Sequence, residues 1–299
     1  MAQALHSGAR AGKQHLQLRS ASLSFAVAIF LSTLALLSPA SGAAEPLASP
    51  LDLGFQQLYD LNFTAAHQIF TTWQESHPDD PRGAACDAAG LLFAELNRLG
   101  ALEAQFYEDD HSFETRKKLT PDPALRDRLN AALDHAEALA RARLAKDPKD
   151  RDALFAMTLA SGLRADYAAL VEKRGLASLR YTRQATQWSS QLLAVDPSCY
   201  DAHLASGISQ YLVGSVAAPL RWVLRLGGVS GDKSQGIEEL KLTAAHGHYL
   251  APFARILLAI AYVREKDTSE ARQVLASLRS EFPDNPLFAR EIARLDAAR

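Results

Sequence analysis

The chain has few of the residues and motifs that mark enzymes or disulfide-stapled proteins. It contains only two cysteines, Cys86 and Cys199, which is too few for a disulfide framework. One bridge between them in an oxidising compartment is the alternative, but we expect both thiols to be buried and free. The sequence also lacks H-E-x-x-H and G-x-S-x-G, and neither cysteine has a recognisable histidine partner. We therefore predict a protein without catalytic activity and without a cofactor.

A strong charge of either sign is also missing. The 299 residues include 32 Lys and Arg against 34 Asp and Glu, a formal net charge of −2. Without residues 1–44, which hold Arg10, Lys13 and Arg19 and no acidic residue, the balance becomes 29 against 34, a net charge of about −5. Because binding to phosphate backbones needs a concentrated basic face, this composition argues against nucleic acid as a partner.

Residues 1–44 have the pattern of an export signal. Their basic residues precede an uncharged apolar run over residues 23–37 and a tail of small residues over 38–44. This order is typical of a cleaved secretory signal peptide. The alternative is an uncleaved membrane anchor, although the apolar run is short for a span of about 20 residues. We expect an exported protein, periplasmic or secreted, whose mature domain is residues 45–299.

Residues 252–283 have the pattern of two antiparallel helices. Apolar residues recur at i, i+3, i+4 and i+7 from Phe253 to Ile260, the spacing of one helix face. Asp267, with Glu270 three residues later, is placed to cap a second helix as in a capping box. Neither helix can bury its apolar stripe alone, so the pair needs neighbouring pairs.

Two frames of 34 residues share a small residue at position 20, a large apolar residue at 24 and a proline at 32. They are Ala271, Leu275 and Pro283 in the frame from Pro252, and Ala66, Phe70 and Pro78 in the frame from Leu47. This pattern resembles the tetratricopeptide repeat family. The resemblance implies an all-α fold, a right-handed α-solenoid of about five helix pairs, with insertions between repeats and a C-terminal capping helix.

The resemblance also implies a binding surface, since this family lines its concave face with set positions of each first helix. Those positions predict a partner-binding groove formed by Phe55, Leu58, Tyr59, Phe155, Leu159, Leu163, Leu204, Ile208, Tyr211, Leu212, Ile256 and Ile260. The family's Lys and Asn clamp for a terminal carboxylate is absent from these positions. An exposed apolar patch formed by this many large side chains marks a binding site. We predict a scaffold that binds a protein or peptide partner; the alternatives are a carrier for a small apolar ligand in envelope transport, or residues that are simply interhelical core.

Residues 213–230 interrupt the fourth pair and are richer in apolar residues than a loop should be. A short helix is predicted there, with Leu220 and Trp222 accompanied by Arg221 and Arg225. We predict that this segment is a lid over the groove. The alternative is peripheral contact with a membrane, with the tryptophan and the arginines at the headgroups.

Two further motifs have structural interpretations that we favour. Residues 227–234 resemble a phosphate-binding loop except at Asp232, whose carboxylate would repel a phosphate, and no strand precedes them. His246 and His248, and the acidic run over residues 108–111, offer metal ligands without identifiable partners. We therefore predict neither a nucleotide site nor a metal site.

Overall fold

The computed structural model describes residues 49–104, 120–215 and 231–297, and every regular element in these ranges is helical. The α-helices are α1 (Pro50–Tyr59), α2 (Phe63–Ser76), α3 (Pro81–Arg98), α4 (Ala101–Ala104), α5 (Pro123–Leu144), α6 (Arg151–Asp166), α7 (Gly175–Val195), α8 (His203–Ser215), α9 (Lys233–His246), α10 (Ala251–Arg264), α11 (Thr268–Glu281) and α12 (Pro286–Ala297). A π-helical turn over Tyr167–Val171 follows α6, and a 3-10 turn over Tyr200–Ala202 precedes α8. The predicted export signal and the predicted lid residues lie outside the described ranges.

The helices pack in chain order as five pairs: α1 with α2, α3 with α5, α6 with α7, α8 with α9, and α10 with α11. Each pair also contacts the next pair along the chain, and α12 packs on α11 as a last helix. The predicted all-α stack of about five helix pairs with a C-terminal cap is therefore confirmed for the residues that the structure describes. Its resemblance to tetratricopeptide repeats lies in this succession of pairs.

Aspartate side chains fix where many of these helices begin. The carboxylates of Asp80, Asp122, Asp150, Asp232 and Asp267 each accept a backbone N–H from the first turn of the helix that follows. The predicted cap of α11 is among them. The capping of α9 also explains the residue that spoils the phosphate-loop motif, because its carboxylate satisfies the helix N-terminus instead of facing a ligand.

Small residues let the paired helices approach closely. Ala66 and Ala271, both at position 20 of their frames, are fully buried. Gly54 lies against the ring of Phe70, and a Cβ at Gly54 would be 2.2 Å from a ring carbon. The pattern that suggested repeats therefore has a packing cause: larger side chains at these positions would push the helices apart.

The first pair contacts the segments directly before and after the fifth pair, which the sequence did not predict. The Tyr59 hydroxyl donates to the carbonyl oxygen of Tyr249 at 2.9 Å, and the Asn285 side-chain amide donates to the carbonyl oxygen of Tyr59 at 2.8 Å. The rings of Phe55 and Tyr249 stack with centroids 5.0 Å apart, and His248 pairs with Asp52. As a result, the first helices of the pairs surround a common interior.

One helical stretch in the described ranges, Arg151–Val171, is long and apolar enough to cross a membrane by length and composition. Its most apolar window is 72% buried inside the protein. This stretch comprises α6 and the π-helical turn, and α6 packs against α3, α5 and α7. Its apolar character is accounted for by its central place in the core.

Candidate functional site

Two adjoining cavities lie among the helices. The first helices of all five pairs line the smaller one, of about 80 Å³, and the first helices α3, α6, α8 and α10 line the larger one, of about 300 Å³. Six residues line both cavities and so mark where they meet: Phe93, Ala165, Asp166, Thr182, Ile208 and Phe253. We refer to the two together as the inner cavity. Its lining is mostly aliphatic and aromatic, as is usual for sites that bind small molecules.

All twelve residues predicted for the groove line the inner cavity. The smaller part is lined by Phe55, Leu58, Tyr59, Phe155, Leu159, Leu163, Leu204 and Ile208, and the larger part by Ile208, Tyr211, Leu212, Ile256 and Ile260. Nine of the twelve are buried, whereas Leu212 is 50% exposed. The structure thus brings together residues that lie up to about two hundred positions apart in sequence. Their role in binding stays a prediction.

Asp166 is the residue of this site that sequence reasoning missed. It is the last residue of α6, it lines both parts of the inner cavity, and the π-helical turn begins directly after it. Such turns are frequent at functional sites. No hydrogen bond or ion pair joins its carboxyl group to another residue in the described part of the chain, and burial raises its pKa to about 7. By surface area it is intermediate between buried and exposed.

Other polar groups of the lining already have partners. The Asp201 carboxylate accepts the backbone N–H groups of Tyr249 at 3.0 Å and Leu250 at 3.1 Å, although burial still raises its pKa. The Thr158 hydroxyl donates to a backbone carbonyl within its own helix at 2.8 Å. Arg264 also has a partner. These groups stabilise the fold. Among the ionisable groups of the described lining, the carboxyl group of Asp166 is therefore the candidate for pairing with a ligand.

A cluster of Ser206, His203 and Glu239 joins α8 to α9, but its geometry does not activate the serine. The serine hydroxyl donates to the Glu239 carboxylate at 3.0 Å, and the histidine ring nitrogen Nδ1 pairs with the same carboxylate. A nucleophilic serine would instead donate to the histidine. This cluster therefore acts as a polar link between two helices.

The histidines considered as metal ligands have separate partners. His248 pairs with Asp52 of α1, whereas the ring of His246 lies against Tyr200 with centroids 4.9 Å apart. Across residues 49–104, 120–215 and 231–297, no group of three or more His, Cys, Asp or Glu side chains could hold a metal ion. The acidic run over residues 108–111 lies outside these ranges. Cys86 and Cys199 are both buried and free, as expected.

Comparison with known proteins gives likenesses among solved structures. No family model matches the chain, and no curated protein matches it. Among solved structures, a thermophilic tetratricopeptide repeat protein of Thermus thermophilus is similar, with 19% sequence identity over 82% of this chain and 96% of that chain. The TM-score is 0.43. The assignment of the fold therefore rests on the succession of helix pairs described above.

Proposed function

We propose that the protein is a non-catalytic binding protein that holds a small apolar ligand in the inner cavity. The observation that supports this best is the apolar cavity of about 300 Å³ that α3, α6, α8 and α10 line together with residues of α4, α7, α9 and α12. Ligand sites in proteins are mostly apolar clefts or cavities of roughly 300–1,000 Å³ with few polar groups. The inner cavity lies at the lower end of that range, which favours a compact ligand with a single chain or ring.

The apolar lining favours the same class of ligand. An apolar ligand that packs against these side chains gains dispersion contacts and removes apolar surface from water. The contacts of α1 with Tyr249 and Asn285 close the interior on one side, which keeps a bound apolar ligand out of water.

The place of action is the second part of the proposal. The basic, apolar and small-residue order of residues 1–44 supports export to the periplasm or to the medium. A carrier in that compartment would bind apolar molecules that cannot cross water unaided. Cell fractionation and N-terminal sequencing of the mature protein test this, with an N-terminus after Ala43 or Ala44 as the expected result and cytoplasmic full-length protein as the contrary one.

Gly162 offers a direct test of the cavity. It lines the smaller part, and a Cβ there would meet no atom within 4 Å, so we expect a leucine side chain to extend into this part of the cavity. Gly175 at the start of α7 is the matched control, because its Cβ would also meet nothing and it is exposed. The neutral fluorescent probe N-phenyl-1-naphthylamine should bind the wild-type protein and the Gly175→Leu variant with similar affinity. Its affinity for Gly162→Leu should be at least tenfold lower.

Two results would reject the proposal. The first is a wild-type protein that binds no apolar probe and releases no ligand in native mass spectrometry. The second is a Gly162→Leu variant that folds, by circular dichroism, and binds the probe as well as the control does.

A polypeptide partner is the second candidate function, and the exposure of Leu212 favours it. This residue lines the larger part of the inner cavity and is half exposed, so an apolar lining residue reaches the surface. Stacked helix pairs commonly bind polypeptides on their concave surfaces. Pull-down with Ile208→Asp plus Tyr211→Asp should then lose a partner that Leu176→Asp retains, since Leu176 is 87% exposed. Equal recovery with both variants would reject this candidate.

A further inference from the structure

We infer that the inner cavity selects an amphiphilic ligand with one protonated amine, and that the carboxylate of Asp166 receives this amine. The inference rests on the proposed function and names the chemical class of its ligand. It assigns to Asp166 the role of the residue that determines specificity. An apolar body would fill the rest of the cavity.

Asp166 lies where a ligand in the cavity can reach it and has no partner among the described residues. It lines both parts of the inner cavity, so a ligand that occupies either part can reach it. Within the described residues its carboxyl group has no hydrogen-bond or ion-pair partner, whereas Asp201 accepts two backbone N–H groups and Arg264 has a partner of its own. A carboxyl group that is partly removed from water and has no protein partner is less stable than a paired one. A ligand that supplies a hydrogen-bond donor removes this cost.

The backbone after Asp166 holds it in place. In the π-helical turn the N–H of Glu172 donates to the carbonyl oxygen of Tyr167 at 3.1 Å, and the N–H of Arg174 donates to that of Ala168 at 2.8 Å. Val171 at the end of the turn is fully buried. The carboxyl group is therefore presented from a fixed backbone rather than from a loose helix end.

Aromatic rings that line the cavity together with Asp166 favour a cationic ligand. Phe93 and Phe253 line both parts of the cavity with Asp166, and their rings pack edge to face with centroids 5.3 Å apart. Ring faces attract cations within about 6 Å of the centroid. A carboxylate without a protein partner, in a lining that also holds these rings, is complementary to an ammonium group attached to an apolar body.

The same features disfavour the other ligand classes. A carboxylic acid or a phosphate would bring a second negative charge to the carboxylate of Asp166, with Asp201 also in the lining. A purely apolar ligand would leave the carboxyl group desolvated and unpaired. An alcohol could donate one neutral hydrogen bond, which is weaker than the charge-assisted bond from an ammonium group.

Three ligands of equal length separate these cases: octylamine, 1-octanol and octanoate, each titrated into the purified protein by calorimetry at pH 8. We expect octylamine to bind at least tenfold more tightly than 1-octanol, and octanoate to bind more weakly than either. In Asp166→Asn the preference for the amine should disappear while the affinity for 1-octanol stays within about twofold. Asp79→Asn, which removes the same charge from an exposed turn, should behave like the wild type.

Three other outcomes would overturn either the inference or the proposed function. Equal affinity of the wild type for octylamine and 1-octanol would overturn the inference and leave the proposed function intact. A preference for the amine that survives in Asp166→Asn would show that another group receives it, which also overturns the inference. If none of the three ligands binds, the proposed function itself falls.

Discussion

Replacing Asp166 by asparagine tests whether ionisation of this carboxyl group lowers the free energy of unfolding. Burial raises the pKa of this group from its ordinary 3.8 to about 7, so the folded protein holds the proton more tightly than the unfolded chain does. Between these two values the unfolded chain has released the proton and the folded protein has not. The free energy of unfolding therefore falls as the pH rises from about 4 to about 7.

The size of this effect follows from the shift. About three pKa units correspond to roughly 4 kcal/mol, which is the full loss of stability once the pH exceeds 7. At pH 5, about one pH unit above the ordinary pKa, the free energy of unfolding has fallen by on the order of 2 kcal/mol. Because Asp166 is partly accessible, solvent screens its carboxylate and lowers both values. Asparagine cannot ionise and escapes both losses.

The assay is urea unfolding of ligand-free wild type and Asp166→Asn, followed by circular dichroism at pH 5 and pH 8. We expect the variant to gain about 2 kcal/mol more, relative to wild type, at pH 8 than at pH 5. The lowered pKa values of Asp80 and Asp196 affect both chains equally and cancel in the difference. Asp79→Asn should give a difference that does not change between the two pH values.

A stability difference between Asp166→Asn and wild type that is flat across this range would refute the reasoning. It would mean that Asp166 is ionised in the folded protein and well solvated or paired. A gain that grows as the pH falls would refute it equally, since that sign belongs to a carboxylate whose pKa is lowered.

Two further predictions concern the packing that shapes the cavity. Gly54→Ala should lower the free energy of unfolding by about 1–3 kcal/mol, because its Cβ would be 2.2 Å from a ring carbon of Phe70. Gly162→Ala, whose Cβ would meet no atom within 4 Å, should leave the free energy of unfolding unchanged or raise it by up to about 1 kcal/mol. If urea titrations show equal losses of stability for Gly54→Ala and Gly162→Ala, this is contradicted. Asp201→Ala should lower the thermal midpoint and cost about 2–3 kcal/mol, since two backbone N–H groups lose their acceptor, and an unchanged midpoint would contradict it.

The helix pairs could be predicted from sequence because their signals are local. The apolar period from Phe253 to Ile260 lies within one helix, and Asp267 caps the next helix by accepting the Glu270 N–H at 3.2 Å. Small residues at fixed frame positions, such as Ala66, indicated where helices approach closely. The predicted groove residues line one interior for the same reason, since the repeat frame places them on equivalent faces.

The closure of the interior and the role of Asp166 could not be predicted in this way. The bond from Tyr59 to the carbonyl oxygen of Tyr249 joins residues 190 positions apart, and its formation depends on small rotations accumulated over all five pairs. An aspartate at the end of an apolar helix normally suggests a solvated helix end. Only the packing of α6 among its neighbours shows that Asp166 faces an interior cavity.

The most direct test of the central claim is a crystal structure of the protein grown with 1-bromooctane, whose bromine is located by anomalous scattering. We predict a bromine peak within the cavity lined by Phe93, Ile208 and Phe253, and its loss in Gly162→Leu. A cavity filled by the protein's own side chains, or bromine found only on the outer surface, would contradict the claim that this interior is a ligand site.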